Sequence, residues 1–113
     1  MKNVVLIGAS GFVGSAILNE ALNRGHRVTA VVLNPDKISV HHPNLTVMGA
    51  DATDPDTLAN LAKGKDAVIS AYNPGWANPR QYEETLENYP KIVEGAKRSG
   101  VKRLLIVGGA GTP

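Results

Sequence analysis

The chain has 113 residues, room for one compact domain with one core and too few for two. A hydrophobic fraction of 42% sets disorder aside, and the absence of cysteine excludes both a disulfide framework and a thiolate metal site. Twelve Lys and Arg against ten Asp and Glu leave a formal charge of +2, a weak bias spread along the chain without the clustering that a nucleic-acid partner would need.

In chain order, Met1-Lys2-Asn3 leads straight into the short apolar run Val4-Val5-Leu6-Ile7, which is neither a secretion signal nor a membrane span. A cytoplasmic protein with no membrane partner is the expectation. The run is rich in β-branched residues and closes on Gly8, so it reads as a strand buried on both faces. From Phe12 the period changes: Val13, Ile17 and Ala21 lie four apart, with Leu18 and Leu22 beside them, and Gly25 ends the helix. Arg27 to Val32 is a second strand and Leu45-Thr46-Val47-Met48 a third. Asn34 to Asn44, between them, has room for one or two helical turns at most. Asp54 caps a short helix with Pro55 at its first position and Leu58 and Leu61 facing inward. Ala67-Val68-Ile69 makes a fourth strand. A longer helix runs from about Pro79 to Ser99, with Tyr82, Leu86, Tyr89, Val93 and Ala96 on one face and a kink expected at Pro90. Gly100 ends it, and Arg103 to Val107 is the fifth strand.

Strands alternating with helices imply right-handed crossovers and a parallel sheet. The expected fold is α/β, a Rossmann-like doubly wound sheet with strand order 3-2-1-4-5. In that order the fifth strand is an edge, yet Leu104-Leu105-Ile106-Val107 carries no gatekeeping charge or proline. Residues 1–113 therefore read as the N-terminal portion of a larger domain truncated after its fifth strand. A short chain whose edge a partner subunit covers is the alternative, and association of copies through that strand is expected.

Gly8-Ala9-Ser10-Gly11-Phe12-Val13-Gly14 is a GxxGxxG element that follows a strand and opens a helix, the context in which such a motif binds a pyrophosphate. Gly8 would allow the tight turn, Gly11 the approach of backbone to phosphate, and Gly14 the close packing of the helix. The plainer alternative is a tight strand-to-helix connection with no ligand.

GASGFVG, the Asp51 that follows the third strand, and the helix-to-strand join Ala96-Lys97-Arg98-Ser99-Gly100-Val101-Lys102-Arg103 together resemble the atypical or extended short-chain dehydrogenase/reductase superfamily. Within it the chain is similar to the NAD(P)H-binding group of NAD-dependent epimerase/dehydratase and NmrA-like proteins, over all 113 residues but only the N-terminal part of that domain. The resemblance implies a dinucleotide cofactor held by Gly8, Gly11 and Gly14, with Ser10 and the N–H groups of Phe12 and Val13 on the pyrophosphate. It places Asp51 and Ala52 at the adenine, Asp51 accepting from the exocyclic amine, and Ser70-Ala71-Tyr72 beside the ribose and nicotinamide. For Asp51 the alternative is a solvated turn acid ahead of Thr53 and Asp54.

A carboxylate at the end of the second strand would select NAD and an arginine NADP. This chain has Leu33 and Asn34 instead, where members of the group often carry an arginine before such an Asn-Pro. Asn34 can bond a ribose or phosphate oxygen, Lys37 can contribute a charge, and Asp36 belongs to the turn. With no fixed carboxylate to repel a 2′-phosphate, the balance leans to NADP over NAD.

The superfamily's usual tyrosine followed four residues later by lysine is absent: Tyr72, Tyr82 and Tyr89 are followed at that spacing by Trp76, Leu86 and Val93. Its serine segment corresponds to Gly108-Gly109-Ala110-Gly111, near which Thr112 is the sole hydroxyl. The catalytic residues and the small-molecule substrate are therefore unassigned. The parent chain reads as an NAD(P)-dependent oxidoreductase or epimerase/dehydratase-like enzyme, or alternatively as an NmrA-like redox sensor that binds dinucleotide without turnover. Tyr72-Asn73-Pro74-Gly75-Trp76-Ala77-Asn78-Pro79 is either a lid over the nicotinamide or a hydrophobic plug. His26, His41 and His42 lack a metal-ligand spacing, so no metal is expected.

Overall fold

The computed structural model describes residues 2–9, 12–38, 41–71 and 81–106, and of Phe12, Val13, Lys37, residues 81–89 and Ile106 it describes the backbone. Five strands, β1 (Asn3–Ile7), β2 (Arg27–Val32), β3 (Leu45–Gly49), β4 (Ala67–Ser70) and β5 (Arg103–Ile106), form one sheet in the order β3-β2-β1-β4-β5. Every pairing is parallel. The helices α1 (Phe12–Asn23), α2 (Pro55–Ala62) and α3 (Gln81–Ser99) supply the crossovers, and a 3-10 turn at Pro35–Lys37 takes the place of a helix between β2 and β3. The expected strand order is borne out.

Strand β1 lies at the centre, and its apolar run explains why. Val4, Val5, Leu6 and Ile7 are all buried, because successive side chains point to opposite faces and both faces are covered. On one face Leu6, Val28, Ala30 and Val32 pack with Leu18 and Leu22 of α1. On the other, Val5, Ile7, Val31 and Val68 pack with Leu58 and Ala62 of α2 and Ile92 and Ala96 of α3. The two short-helix residues expected to face inward do so: Leu58 is fully buried, and Leu61 packs on the same cluster.

Helix ends follow their residues. After α1, the Gly25 N–H bonds the Leu22 carbonyl and the His26 N–H bonds that of Ala21, the paired closure in which a left-handed residue is required. Gly25 supplies it with φ 82°, and Gly100 after α3 does likewise with φ 77°. At the start of α2, the Asp54 carboxylate accepts from the Asp56 N–H at 3.1 Å, with Pro55 at the first helical position. Helix α3 continues through Pro90, and it approaches α2 so closely that a Cβ on Gly95 would lie 2.8 Å from Leu58 Cβ. Outside it, Arg98 pairs with Glu94 and Asp56, and the hydrogen bond it donates to the Glu94 carboxylate is the main cause that holds its guanidinium above its usual pKa.

As expected of an apolar edge, β5 leaves Leu105 about half exposed, beyond Ile69 of β4, the last residue to pack on the α1-face cluster. Met48 on β3, at the other edge, is also partly exposed.

Candidate functional site

Because the sheet is parallel, the carboxyl ends of all five strands lie along one edge, and an open α/β sheet binds its ligand at that edge beside the strand where the order reverses. That strand is β1. The chain leaves it through Gly8, whose φ of 78° lies in the left-handed region that favours glycine. Ala9 is then fully buried, and α1 begins at Phe12.

Gly14, inside the first turn of α1, faces the strand exit. A Cβ there would lie 1.9 Å from the Gly8 carbonyl oxygen and 2.7 Å from its carbon, a contact no side chain survives. Glycine at 14 therefore brings the helix terminus directly onto the turn. The close approach made at Gly14 is to the backbone of the turn at Gly8 and Ala9. The N–H groups of the first helical turn have no partner within the helix. Helix α1 carries no acidic residue in that turn, and the positive end of its dipole lies at the strand exit. Ser10 and Gly11 lie outside the described residues.

Beside the turn, β2 ends at Val32, and Leu33 is 80% exposed. Asn34 caps the 3-10 turn: its Oδ1 accepts from the Asp36 N–H at 3.1 Å, which leaves the side-chain NH₂ as the group able to reach a ligand. Asp36 is thus part of the turn, as expected, and the backbone of Lys37 ends it. Gly49 at the end of β3 sets the position of this segment, since a Cβ there would lie 2.9 Å from Pro35 Cγ. Sequence reasoning passed over Gly49. A glycine within an otherwise β-forming run is a signal of close backbone approach that could have found it.

After β3, the Ala50 N–H bonds the Val32 carbonyl at 3.0 Å and carries the chain back toward β2. Asp51 Oδ1 accepts from the Thr53 N–H at 2.9 Å and the Thr53 hydroxyl at 2.6 Å. The acid is exposed, and its neighbour Ala52 turns its methyl into the core. An Asp followed two positions later by a hydroxyl residue is a turn-forming pair, and Thr53 plays that part here. One carboxylate oxygen is committed to this turn, and a carboxylate has further acceptor capacity.

On the other side of β1, Ser70 is fully buried at the end of β4, and the Ala71 N–H bonds the Ile7 carbonyl at 2.9 Å. Tyr72 and the loop to Pro79 lie outside the described residues, as do Val107 to Pro113. The fold thus brings Gly8, the start of α1, Asn34, Asp51, Ala52, Ser70 and Ala71 to one edge. No group of His, Asp or Glu among the described residues could hold a metal ion.

Residues 8–113 match the NAD(P)H-binding family, a match that begins at the glycine where β1 ends. The chain belongs to that family. It is 36% identical over 107 residues to the uncharacterized protein YwnB of Bacillus subtilis, covering 95% of this chain and 47% of that one. It is 30% identical over 119 residues to cinnamoyl-CoA reductase 1 of Arabidopsis thaliana, covering 97% and 35%. The crystal structure of a candidate epimerase from Bacteroides thetaiotaomicron superposes with a TM-score of 0.85 at 55% identity, over 97% of this chain and 48% of that one. The NAD(P)H-binding chain therefore spans about half the length of these relatives or less. The Rossmann fold and the kinship with epimerases and short-chain reductases are as expected, and the ligand is a nicotinamide dinucleotide. Among the described residues, no helix is long and apolar enough to cross a membrane.

Proposed function

We propose that residues 1–113 are the cofactor-binding part of an NAD(P)-dependent oxidoreductase or epimerase/dehydratase-like enzyme, cytoplasmic and acting on a small molecule. The observation that carries this reading is Gly14: a position where any Cβ would strike the Gly8 carbonyl serves to press a helix terminus onto a strand exit, and the cradle so made suits a pyrophosphate. When bound, the nicotinamide supplies hydride-transfer chemistry.

The residues have these roles. The N–H groups of Phe12, Val13 and Gly14 hold the pyrophosphate, with Ser10 and Gly11 on the turn before them. The Asn34 NH₂ donates to the adenosine ribose or its 2′-phosphate. Asp51, held by Thr53, accepts from the adenine amine, and the backbone at Ala52 borders the ring. Ser70, Ala71 and Tyr72 flank the nicotinamide half. NADP is favoured over NAD, since no carboxylate stands at the tip of β2 and Lys37 follows closely. Calorimetric titration with NADPH, NADH and NADP tests the site, and binding of none of them overturns it.

Within residues 1–113 no tyrosine is followed four positions later by lysine, and the second reading is a redox sensor that binds dinucleotide without turnover. NADPH oxidation in the presence of a panel of carbonyl compounds separates the two.

A further inference from the structure

The amino ends of the strands form the opposite edge, and cations that are far apart in sequence meet there. Lys2 precedes β1, Arg27 opens β2, Lys63 and Lys65 lie between α2 and β4, Lys102 precedes β5 and Arg103 opens it. Asp66, also at this edge, is engaged by the Asn3 N–H at 2.7 Å. The corresponding turns of the carboxyl edge carry Asp36, Asp51 and Asp54 against Lys37. Among the described residues, charge is thus polarised along the strands.

Within the basic edge is a cleft of about 330 Å³ lined by Asn3, Arg27, Thr29, Asn44, Thr46 and Lys65, with Val28 and Pro43. Its composition conflicts with its place in the fold. Strand β2 is interior, and an interior strand of a parallel sheet is normally apolar on both faces. Val28, Ala30 and Val32 obey that rule on the α1 face, while Arg27 and Thr29 break it on the other. Thr29 pairs with Thr46 of β3 and Asn3 of β1 with Arg27, so the polar groups form a continuous patch across three strands. Lys65 enters from the β4 side. Among the described residues neither Arg27 nor Lys65 has an ion-pair or hydrogen-bond partner for its side chain.

We propose that this cleft binds a small phosphate-bearing anion. No carboxylate lines it; two cations and two hydroxyls converge on it, with the amides of Asn3 and Asn44 beside them. A guanidinium matches a phosphate with two parallel N–H bonds, and a lysine adds a point charge. The cleft is one strand length from the glycine turn, about 15 Å, so it is separate from the dinucleotide's pyrophosphate site.

The test is a titration of the ¹⁵N-labelled protein with inorganic phosphate at constant ionic strength, repeated with glycerol phosphate. Expected are saturable shifts at the amides of Arg27, Thr29, Thr46 and Lys65, and about tenfold weaker binding in Arg27→Gln and in Lys65→Gln. Tighter binding of glycerol phosphate identifies a phosphate ester as the ligand, and tighter binding of the inorganic ion identifies free phosphate. Thr46→Val, which keeps both cations, weakens binding less and serves if either charge variant does not fold. Shifts confined to residues 8–14, shifts that do not saturate, or folded variants that bind as the parent does overturn the proposal. Because the readout is residue-specific, dinucleotide binding at the glycine turn can fail without affecting it.

Discussion

At the carboxyl edge the anion donors proposed are backbone N–H groups beside Gly8 and Gly14, whereas at the amino edge they are the side chains of Arg27 and Lys65, placed on either side of β1. Backbone donors cost no side-chain ordering and cannot be removed by a single charge change, but they tolerate no added atom nearby. Side-chain donors are the reverse: each must be ordered to bind, and each can be removed by a single charge change. One edge is therefore specified by what must be absent, the other by what must be present.

The sharpest way to break the comparison is Gly14→Ala. Its methyl would fall 1.9 Å from the Gly8 oxygen, so α1 must move off the turn. A loss of at least ~4 kcal/mol of stability is expected in denaturant titration, with dinucleotide binding abolished in whatever remains folded. The fully buried Leu58 lies in the core between the edges. Leu58→Ala is expected to cost about 3 kcal/mol, measured by the same titration, while leaving both binding constants unchanged in the folded protein. A third change carries the amino-edge strategy to the carboxyl edge. Leu33→Arg puts a guanidinium at the exposed tip of β2, and calorimetry should show NADPH bound about tenfold more tightly with NADH little changed. The smallest effect belongs to Arg98→Ala. Its partners Glu94 and Asp56 are exposed, so the thermal midpoint should stay nearly the same in calorimetry and neither edge should respond.

Legibility in the sequence follows the same division. The glycine turn was readable because a left-handed exit at Gly8 and a clash at Gly14 permit one residue type each, and the exclusion shows in the letters. The helix caps at Asp54, Gly25 and Gly100 were readable for a similar local reason. Asp51 was legible only in part. The family resemblance assigned it to the adenine and its neighbours marked it as a turn acid; the bonds to Thr53 account for one oxygen and leave the other open to a ligand. Gly49 escaped because its reason lies fourteen positions away, in Pro35 on the segment before β3. The basic edge escaped altogether. Its cations are dispersed along the chain, each an ordinary solvated residue until parallel pairing puts every strand start on one line. Local constraints leave local marks, and assemblies made by topology leave none.

The central position of β1 also orders the molecule in time. Its start meets β2 through residues 24 apart, with the Lys2 N–H on His26 Nδ1 at 3.0 Å, and meets the turn before β4 through residues 63 apart, with the Asn3 N–H on Asp66. The longer closure costs only about 0.9 kcal/mol more entropy, so the two joins are nearly matched in thermodynamic cost. During synthesis, however, β2 leaves the ribosome well before β4 exists. For that interval the most apolar strand of the protein has one neighbour and one bare side, and the nascent chain depends on how soon β4 arrives to close it.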